Sequence, residues 1–373
     1  MTPPKRLTLD GTADLLRWEP GAGATAATGD EVTAWRSAYE RRLEERLGER
    51  VAAHPEAYEA VARALGVLPA RVRTRFLRAP SVATLVLRDS GGTEIDAGLL
   101  EEALARELTV TGLLAPPPSG RTVWNVRGDR SLPQVPDGLR AVDPLPGLDV
   151  AVDTASPFRF PDGAFGLTAG TVPYGEERLA TVVERLRGAA RILTGLGGPA
   201  RYVETFAQVV AVRQEPEGAR RFHSSSFSGL AGCCRLTNAH LPHVTPALLA
   251  EALVHEATHG RLYLYEELRE PFLRRADAND RAVTSPWTGA TIRLQSFLHA
   301  CAVWYAVHWF WVRSRDAGLC PEAEADARTA LARTGFRRDP AGTLLRAHAP
   351  VLTGSARNLL EQLRAATAAV VAG

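Results

Sequence analysis

The pattern HEATH at residues 255–259 places two histidines and a glutamate at a spacing suited to metal chemistry. Residues four apart on an α-helix lie about 40° apart around the axis, so His255 and His259 can reach one cation. Neutral imidazole is a common ligand of transition metals, and Glu256 would flank the cation as a catalytic base or an orienting group. The pattern therefore predicts a metal site carried by a helix.

The segment around this pattern is predicted to be a buried helix. Thr245 is a favourable N-cap and Pro246 suits the first helical position, so the helix would begin about ten residues before the first histidine. Residues 247–257 carry only three polar side chains, and burying an ionisable His–Glu pair without a partner costs several kcal/mol. A bound metal offsets that cost, which favours a metal site over a chance match or a purely structural role.

The motif leaves the third metal ligand open. The extended metalloprotease motif HExxHxxGxxH is absent, because Leu262 stands at its glycine position and Tyr265 at its last histidine position. Asp277 and Asp280 follow in the sequence, although the NExxxD pattern of a second ligand helix is absent. An acidic residue between 266 and 280 is therefore one candidate.

His299 is the other candidate for the third ligand. It lies 40 residues after His259 in an apolar, aromatic segment, a return distance that suits an antiparallel neighbouring helix. The alternative is a core histidine bonded to a backbone carbonyl, which is the interpretation we favour for His308 on the opposite side of the same helix. We predict that His299 is a metal ligand.

The rest of the chain must position these residues. Helical periodicity is found at residues 30–54, 55–65, 68–78, 96–107 and 176–198, and strand patterns at 206–214 and 222–238. Ser226 and Ser228 belong to the second strand, whose small residues would allow a close approach to its backbone, and both are weaker candidates for polar contact with substrate. A Pro- and Gly-rich stretch separates a helical N-terminal region, 1–145, from a catalytic domain, 146–373. The predicted fold is α+β and predominantly helical, with a metal-site helix pair beside a small β-sheet.

Length and composition exclude several classes of protein. The 373 residues are 45% apolar, and 44 Lys+Arg against 42 Asp+Glu give a net charge of +2, which argues against a disordered chain or a nucleic-acid binder. The four cysteines form no CxxC pair, so no disulfide framework is predicted. The N-terminus lacks a signal-peptide core, and the apolar run 297–312 is shorter than the ~18–20 residues of a membrane span. We expect a cytoplasmic protein that binds no membrane.

A longer combination of motifs resembles a known family. LVHEATHG is followed by SPW at 285–287, then by Arg293 six residues before the histidine of a Leu-His pair in an aromatic helix. This combination is similar to the HExxH-motif peptide-modification proteins, the 2-oxoglutarate-dependent HExxH-type peptide β-hydroxylases associated with ribosomally synthesised peptide natural products. The resemblance covers residues 200–314.

The resemblance implies a chemistry for these residues. His255, His259 and His299 would hold Fe(II), with open positions for 2-oxoglutarate and O₂, while Glu256 or an aspartate could complete the ligand set. A guanidinium suits the far carboxylate of 2-oxoglutarate, so Arg293 is the candidate contact. A solvent-facing arginine is the alternative interpretation of Arg293.

These inferences predict an Fe(II)- and 2-oxoglutarate-dependent hydroxylase that modifies the β-carbon of a side chain in a ribosomally synthesised precursor peptide. A zinc-dependent peptidase is the alternative enzyme, with Glu256 as the general base that activates a zinc-bound water. A peptide-binding accessory protein without metal chemistry is the alternative outside enzymes.

Overall fold

A computed structural model describes residues 9–19, 22–87, 93–115, 123–132, 145–154, 171–215 and 221–372. The N-terminal part of the chain is helical, in agreement with its amphipathic periodicity. Its helices are α1 (Thr12–Leu15), α2 (Ala22–Ala53), α3 (Pro55–Val67), α4 (Ala70–Arg78), α5 (Pro80–Leu87) and α6 (Thr93–Val110). The remaining helices are α7 (Glu176–Leu196), α8 (Gly198–Phe206), α9 (Pro246–Leu268), α10 (Leu294–Asp316), α11 (Glu322–Phe336), α12 (Pro340–Ala347) and α13 (Gly354–Ala372).

The main sheet has four short strands, β3 (Ala151–Asp153), β4 (Val209–Arg213), β5 (His223–Ser226) and β6 (Cys233–Thr237). Their spatial order is β3-β4-β6-β5, with β3, β4 and β6 parallel and β5 antiparallel to β6. Two small antiparallel ladders join β1 (Val123–Trp124) to β2 (Ser131–Leu132) and β7 (Ala282–Thr284) to β8 (Thr291–Arg293). The predicted α+β, predominantly helical class is confirmed.

Both predicted strands of the main sheet differ from the sequence expectation. The segment 222–238 is not one strand, because a 3-10 turn at Ser228–Leu230 and Gly232, with φ of +90°, divide it into β5 and β6. Ser228 is therefore exposed on a turn rather than placed on a strand. The segment 206–214 starts as the end of α8, and its strand begins only at Val209.

Helix α9 lies at the centre of the C-terminal part of the chain. It packs against α7, α8 and α10 and against β5 and β6, which is the predicted helix pair beside a small sheet. Its start is the predicted one, because the Thr245 hydroxyl accepts a hydrogen bond from the Leu248 amide at 3.0 Å and Pro246 follows at the first position. No helix in the described ranges is long and apolar enough to cross a bilayer.

The N-terminal helices share one apolar core with the C-terminal part of the chain. One continuous cluster of buried apolar residues extends from Leu9 to Val370. Arg261 of α9, which is 1% exposed, donates to Glu31 of α2 at 2.8 Å and lies over the Trp35 ring at 5.5 Å. The boundary predicted near residue 145 adjoins residues 133–144, which lie outside the described ranges, and it stays a prediction.

Candidate metal centre

The HEATH segment forms the predicted cluster on α9. One potential ligand atom from each of His255, Glu256 and His259 lies within 4.8 Å of the others. The His255 side chain is 30% exposed, whereas that of Glu256 is 2% exposed. The carboxylate is therefore buried, whereas both imidazoles are partly exposed.

Strand β5 holds the carboxylate of Glu256 in place. The Ser224 hydroxyl donates to Glu256 Oε1 at 2.6 Å, and the same oxygen lies 3.8 Å from His255 Nε2. The pKa of the Cys234 thiol on β6 is raised well above its usual value by burial and then by the Glu256 charge, which places this carboxylate against the sheet. Ser224 orients Glu256 through this hydrogen bond, and the sequence pattern did not point to Ser224.

His259 provides a neutral imidazole inside the protein. Burial lowers its pKa well below the usual range, and the neighbouring His255 and His299 lower it further. A neutral imidazole keeps one nitrogen lone pair, which is what a metal ligand requires. His259 Nδ1 lies 3.2 Å from His299 Nδ1, so His259 has Nε2 as its other nitrogen for a cation.

The structure brings His299 next to His259 as the sequence spacing predicted. The His299 side chain is fully buried, and its ring lies 4.9 Å from that of Tyr263 and 5.7 Å from that of Phe272, measured between centroids. Among the described residues, however, the group whose ligand atoms all lie within 4.8 Å does not include His299. Its assignment as the third ligand stays a prediction.

Glu266 lies on the side of His299 away from His259. The sequence pointed to it only as the first residue of the range 266–280, in which an acidic third ligand was considered. Its Oε2 is 3.3 Å from His299 Nε2 and accepts a hydrogen bond from Gln295 Nε2 at 2.7 Å. Its Oε1 accepts from the Phe272 amide at 3.1 Å. The helical spacing 259, 263, 266 puts His259, Tyr263 and Glu266 on one stripe of α9, and this spacing is the signal that could have found them.

The acidic alternatives to His299 lie elsewhere. Asp277 is exposed on a 3-10 turn and pairs with Arg275 at 2.7 Å, and Asp280 is exposed on the same turn. Neither belongs to the three-residue group on α9. His308 is buried on α10, as expected of a core histidine, but its Nδ1 has no hydrogen-bond partner among the described residues, so the expected bond to a backbone carbonyl is absent at that nitrogen. Burial lowers its pKa to about 4.

Arg293 lies just before α10 rather than within it. It ends β8, pairs with Ala282 across the ladder, and is the exposed N-cap residue of α10. Among the described residues, none forms an ion pair with Arg293, so its guanidinium is available to a carboxylate. Its role as the 2-oxoglutarate contact stays a prediction.

A buried carboxylate one turn before His255 anchors α9 to its neighbours. Glu251 accepts hydrogen bonds from the Trp311 indole of α10 and from Arg328 of α11, whose Nε lies 2.6 Å from Oε2. The Glu251 side chain is 7% exposed and that of Arg328 is 28% exposed. Three helices are thereby fixed relative to one another one turn before the candidate metal ligand His255.

The residue after His259 sets the distance between α9 and α8. A Cβ atom built on Gly260 would lie 2.3 Å from the Phe206 carbonyl oxygen, closer than real Cβ atoms come to any atom. Only glycine allows this approach of backbone to backbone. The position of His259 relative to α8 therefore depends on glycine at residue 260.

No protein-family model and no curated protein sequence matches the chain. The donor set itself limits the chemistry. Two imidazoles and one carboxylate suit a divalent transition metal such as iron or zinc better than the oxygen-seeking Mg²⁺ or Ca²⁺. The residues present thus fit a transition metal.

Proposed function

We propose that the protein is an Fe(II)- and 2-oxoglutarate-dependent hydroxylase that acts on a side chain of a peptide. The observation that carries this proposal is the group of His255, Glu256 and His259, whose ligand atoms approach one another within 4.8 Å beside a partly exposed imidazole. Two histidines and one carboxylate with open positions are typical of non-haem Fe(II) oxygenases. The motif resemblance over residues 200–314 supports the same class.

The metal and its co-substrates would supply the oxidation. With 2-oxoglutarate and O₂, one oxygen atom enters the substrate C–H bond and the other enters succinate, with release of CO₂. The chain itself binds and orients. His255 and His259 hold the cation, and Ser224 fixes the Glu256 carboxylate by its hydrogen bond of 2.6 Å.

Strand β5 is the proposed substrate side of the site. Ser226 lies two residues after Ser224, so both side chains share one face of the strand, towards α9. The Ser226 hydroxyl oxygen is buried and has no hydrogen-bond partner within the structure. A peptide group entering the site would satisfy it, which keeps the predicted polar contact between Ser226 and substrate in the proposal.

A zinc-dependent peptidase is the second candidate, and one distance favours it. Glu256 Oε1 lies 3.8 Å from His255 Nε2, so the carboxylate is beside the position of a water bound to a cation on that nitrogen. In a peptidase Glu256 would act as the general base, and a residue other than Glu256 would be the third ligand.

Metal analysis of anaerobically purified protein separates the two functions. We expect iron at one atom per chain, and release of succinate from 2-oxoglutarate that rises when a peptide substrate is added. His255→Ala should lose both, because two ligands hold a metal weakly, whereas His54→Ala, at an exposed histidine, should lose neither. Zinc with cleavage of peptides, and no use of 2-oxoglutarate, would establish the peptidase instead.

Glu256→Gln gives an independent distinction. In the hydroxylase, loss of the anionic donor should lower iron affinity together with activity, because the carboxylate belongs to the ligand group. In the peptidase, the same variant should keep its zinc and lose cleavage, because only the base is removed. An inactive variant with full zinc content therefore contradicts the hydroxylase.

Arg293→Ala tests the co-substrate contact. If the exposed guanidinium closes on the far carboxylate of 2-oxoglutarate, the variant should keep its iron and lose about 2–4 kcal/mol of co-substrate binding. Arg293→Lys should recover only part of this, because an ammonium lacks the two-pronged geometry. Arg281→Ala is the matched comparison, since Arg281 is also exposed and lies across the β7–β8 ladder. Equal 2-oxoglutarate affinity in wild type and Arg293→Ala would remove Arg293 from the site.

The proposed compartment is the cytoplasm, where a reduced protein with free thiols is stable. All four cysteines are free, and three of them, Cys233, Cys234 and Cys301, are buried. The proposed partners are a ribosomally synthesised precursor peptide, 2-oxoglutarate and O₂.

A further inference from the structure

We propose that Glu266 and His299 form a hydrogen-bonded relay that positions His259 for the metal by fixing which of its ring nitrogens carries the proton. His299 is then a positioning residue rather than the third ligand. The inference rests on the metal site of the proposed function, although it does not depend on which metal binds there. It assigns a role to a carboxylate that the hydroxylase proposal does not use.

The relay begins at Glu266, which can only accept. Its Oε1 receives the Phe272 amide at 3.1 Å and its Oε2 receives Gln295 Nε2 at 2.7 Å. These two bonds fix the carboxylate and leave one direction of Oε2 facing His299 Nε2, 3.3 Å away. An ionised carboxylate has acceptor capacity for this third donor.

The carboxylate decides the tautomer of His299. His299 Nε2 is buried and has no aligned hydrogen-bond partner within the structure, so Glu266 is the polar group within reach. If Nε2 carried a lone pair, it would face a negative oxygen, which is repulsive in a buried site. With its proton on Nε2, His299 faces Glu266 favourably and presents the Nδ1 lone pair on its other side.

The tautomer of His299 in turn decides that of His259. The two Nδ1 atoms are 3.2 Å apart, and a hydrogen bond between them needs one proton. Since His299 Nδ1 is the acceptor, His259 Nδ1 is the donor. The lone pair of His259 then lies on Nε2, where it can bind a cation. The opposite tautomer would place a proton on Nε2 and block binding.

A different arrangement gives a similar distance. Two nitrogens bound to one cation at about 2.1 Å lie roughly 3 Å apart, so His259 and His299 could both be ligands through Nδ1. The relay is favoured because His299 does not join the group formed with His255 and Glu256. The two arrangements differ in the proton between the two Nδ1 atoms, because a His299 that binds the cation through Nδ1 leaves no proton there, although its Nε2–H would still face Glu266.

The first measurement is nitrogen NMR of metal-free protein labelled with ¹⁵N-histidine. We expect His259 protonated on Nδ1 and His299 protonated on Nε2. In Glu266→Gln, whose amide can present N–H as well as oxygen to His299, the His259 tautomer should become mixed. A purely structural role of Glu266 would leave the tautomer of His259 unchanged. A wild-type His259 protonated on Nε2 would overturn the relay.

The second measurement is the affinity for Co(II) or Zn(II), which needs no turnover. Loss of an outer hydrogen-bond partner of a ligating histidine weakens metal binding by about 10–100-fold, so Glu266→Gln and His299→Ala should each show this loss at full stoichiometry. The double variant should be no weaker than His299→Ala, because Glu266 acts through His299. The control is Glu267→Gln, an exposed carboxylate of the same helical turn, with unchanged affinity expected.

The outcomes separate the relay from the proposed function. Loss of metal stoichiometry in His299→Ala, in place of a weaker affinity at full stoichiometry, would overturn the relay and make His299 a ligand. Metal affinities as expected, but no use of 2-oxoglutarate, would support the relay and refute the hydroxylase. If the His299→Ala variant does not fold, Glu266→Gln and the wild-type tautomers still decide, since the glutamine keeps an oxygen for the Phe272 amide.

Discussion

The close contact behind His259 gives the most direct test of how the fold sets the site. Gly260→Ala adds one methyl group to α9, at a point where its Cβ would lie 2.3 Å from the Phe206 carbonyl oxygen. Real Cβ atoms stay at least 3.0 Å from such an atom, so α8 and α9 must separate by about 0.7 Å. The backbone oxygen cannot rotate away, as the end of a flexible side chain would.

The expected cost follows from two opposing effects. Overpacking of a dense interior costs about 1–3 kcal/mol, whereas alanine is preferred over glycine inside a helix by about 0.5–1 kcal/mol. We therefore expect Gly260→Ala to lower the free energy of unfolding by about 1–2 kcal/mol. Separation of α8 and α9 also shifts α9 against β5, whose Ser224 hydroxyl holds the Glu256 carboxylate, so the variant should bind Co(II) more weakly than the wild type does.

Gly48→Ala is the matched control. Gly48 lies inside α2 on an exposed turn, and its added Cβ would meet no atom within 4 Å. Both substitutions gain the same helix preference, so the difference between their unfolding free energies in urea isolates the contact with Phe206. We expect Gly48→Ala to be more stable than wild type by about 0.5–1 kcal/mol. Equal stability of the two variants would refute the account of the α8–α9 contact.

Two further predictions concern buried charges outside the metal site. Glu251→Ala leaves the Arg328 guanidinium and the Trp311 indole without their shared acceptor, so the free energy of unfolding in urea should fall by about 3 kcal/mol. This is the lower end for a broken buried ion pair, because Arg328 is 28% exposed. A fall below about 1 kcal/mol would show that other contacts anchor α9. His308 stays neutral when folded, with its pKa lowered from 6.5 to about 4, while the unfolded chain takes up a proton below pH 6.5. The contribution of His308 to the free energy of unfolding is thus present above pH 6.5 and is lost as the pH falls towards 4, by about 2 kcal/mol at pH 5. His308→Leu should make the free energy of unfolding depend less on pH in this range. An unchanged pH dependence would contradict the lowered pKa of His308.

The sequence predicted the local features of the site because local chemistry determines them. Thr245 and Pro246 define the start of α9 by capping rules, and the spacing of His255 and His259 places both imidazoles on one face. The predicted helix 176–198 ends at Leu196, with Gly197 at φ of +70° as its stop. These features depend on residues within one or two turns of each other.

The partners of the site residues could not be predicted, because they come from distant parts of the chain. Ser224 reaches Glu256 only because β5 turns back antiparallel to β6, and the sequence suggested a single strand there. Glu266 contacts His299 only because α10 crosses its stripe of α9. The position of Arg293 depended on where α10 begins, which the apolar pattern alone did not define.

Two carboxylates of α9 acquire their partners only after later parts of the chain have been synthesised. Glu251 has its partners at Trp311 and Arg328, and Glu266 has one of its own at Gln295, all of which follow α9 in the chain. In a nascent chain on the ribosome, these carboxylates would lack their partners until about sixty residues beyond the end of α9 had been synthesised. The candidate metal site is thus completed late in synthesis, because a chain that ends before Arg328 lacks the cation that pairs with Glu251.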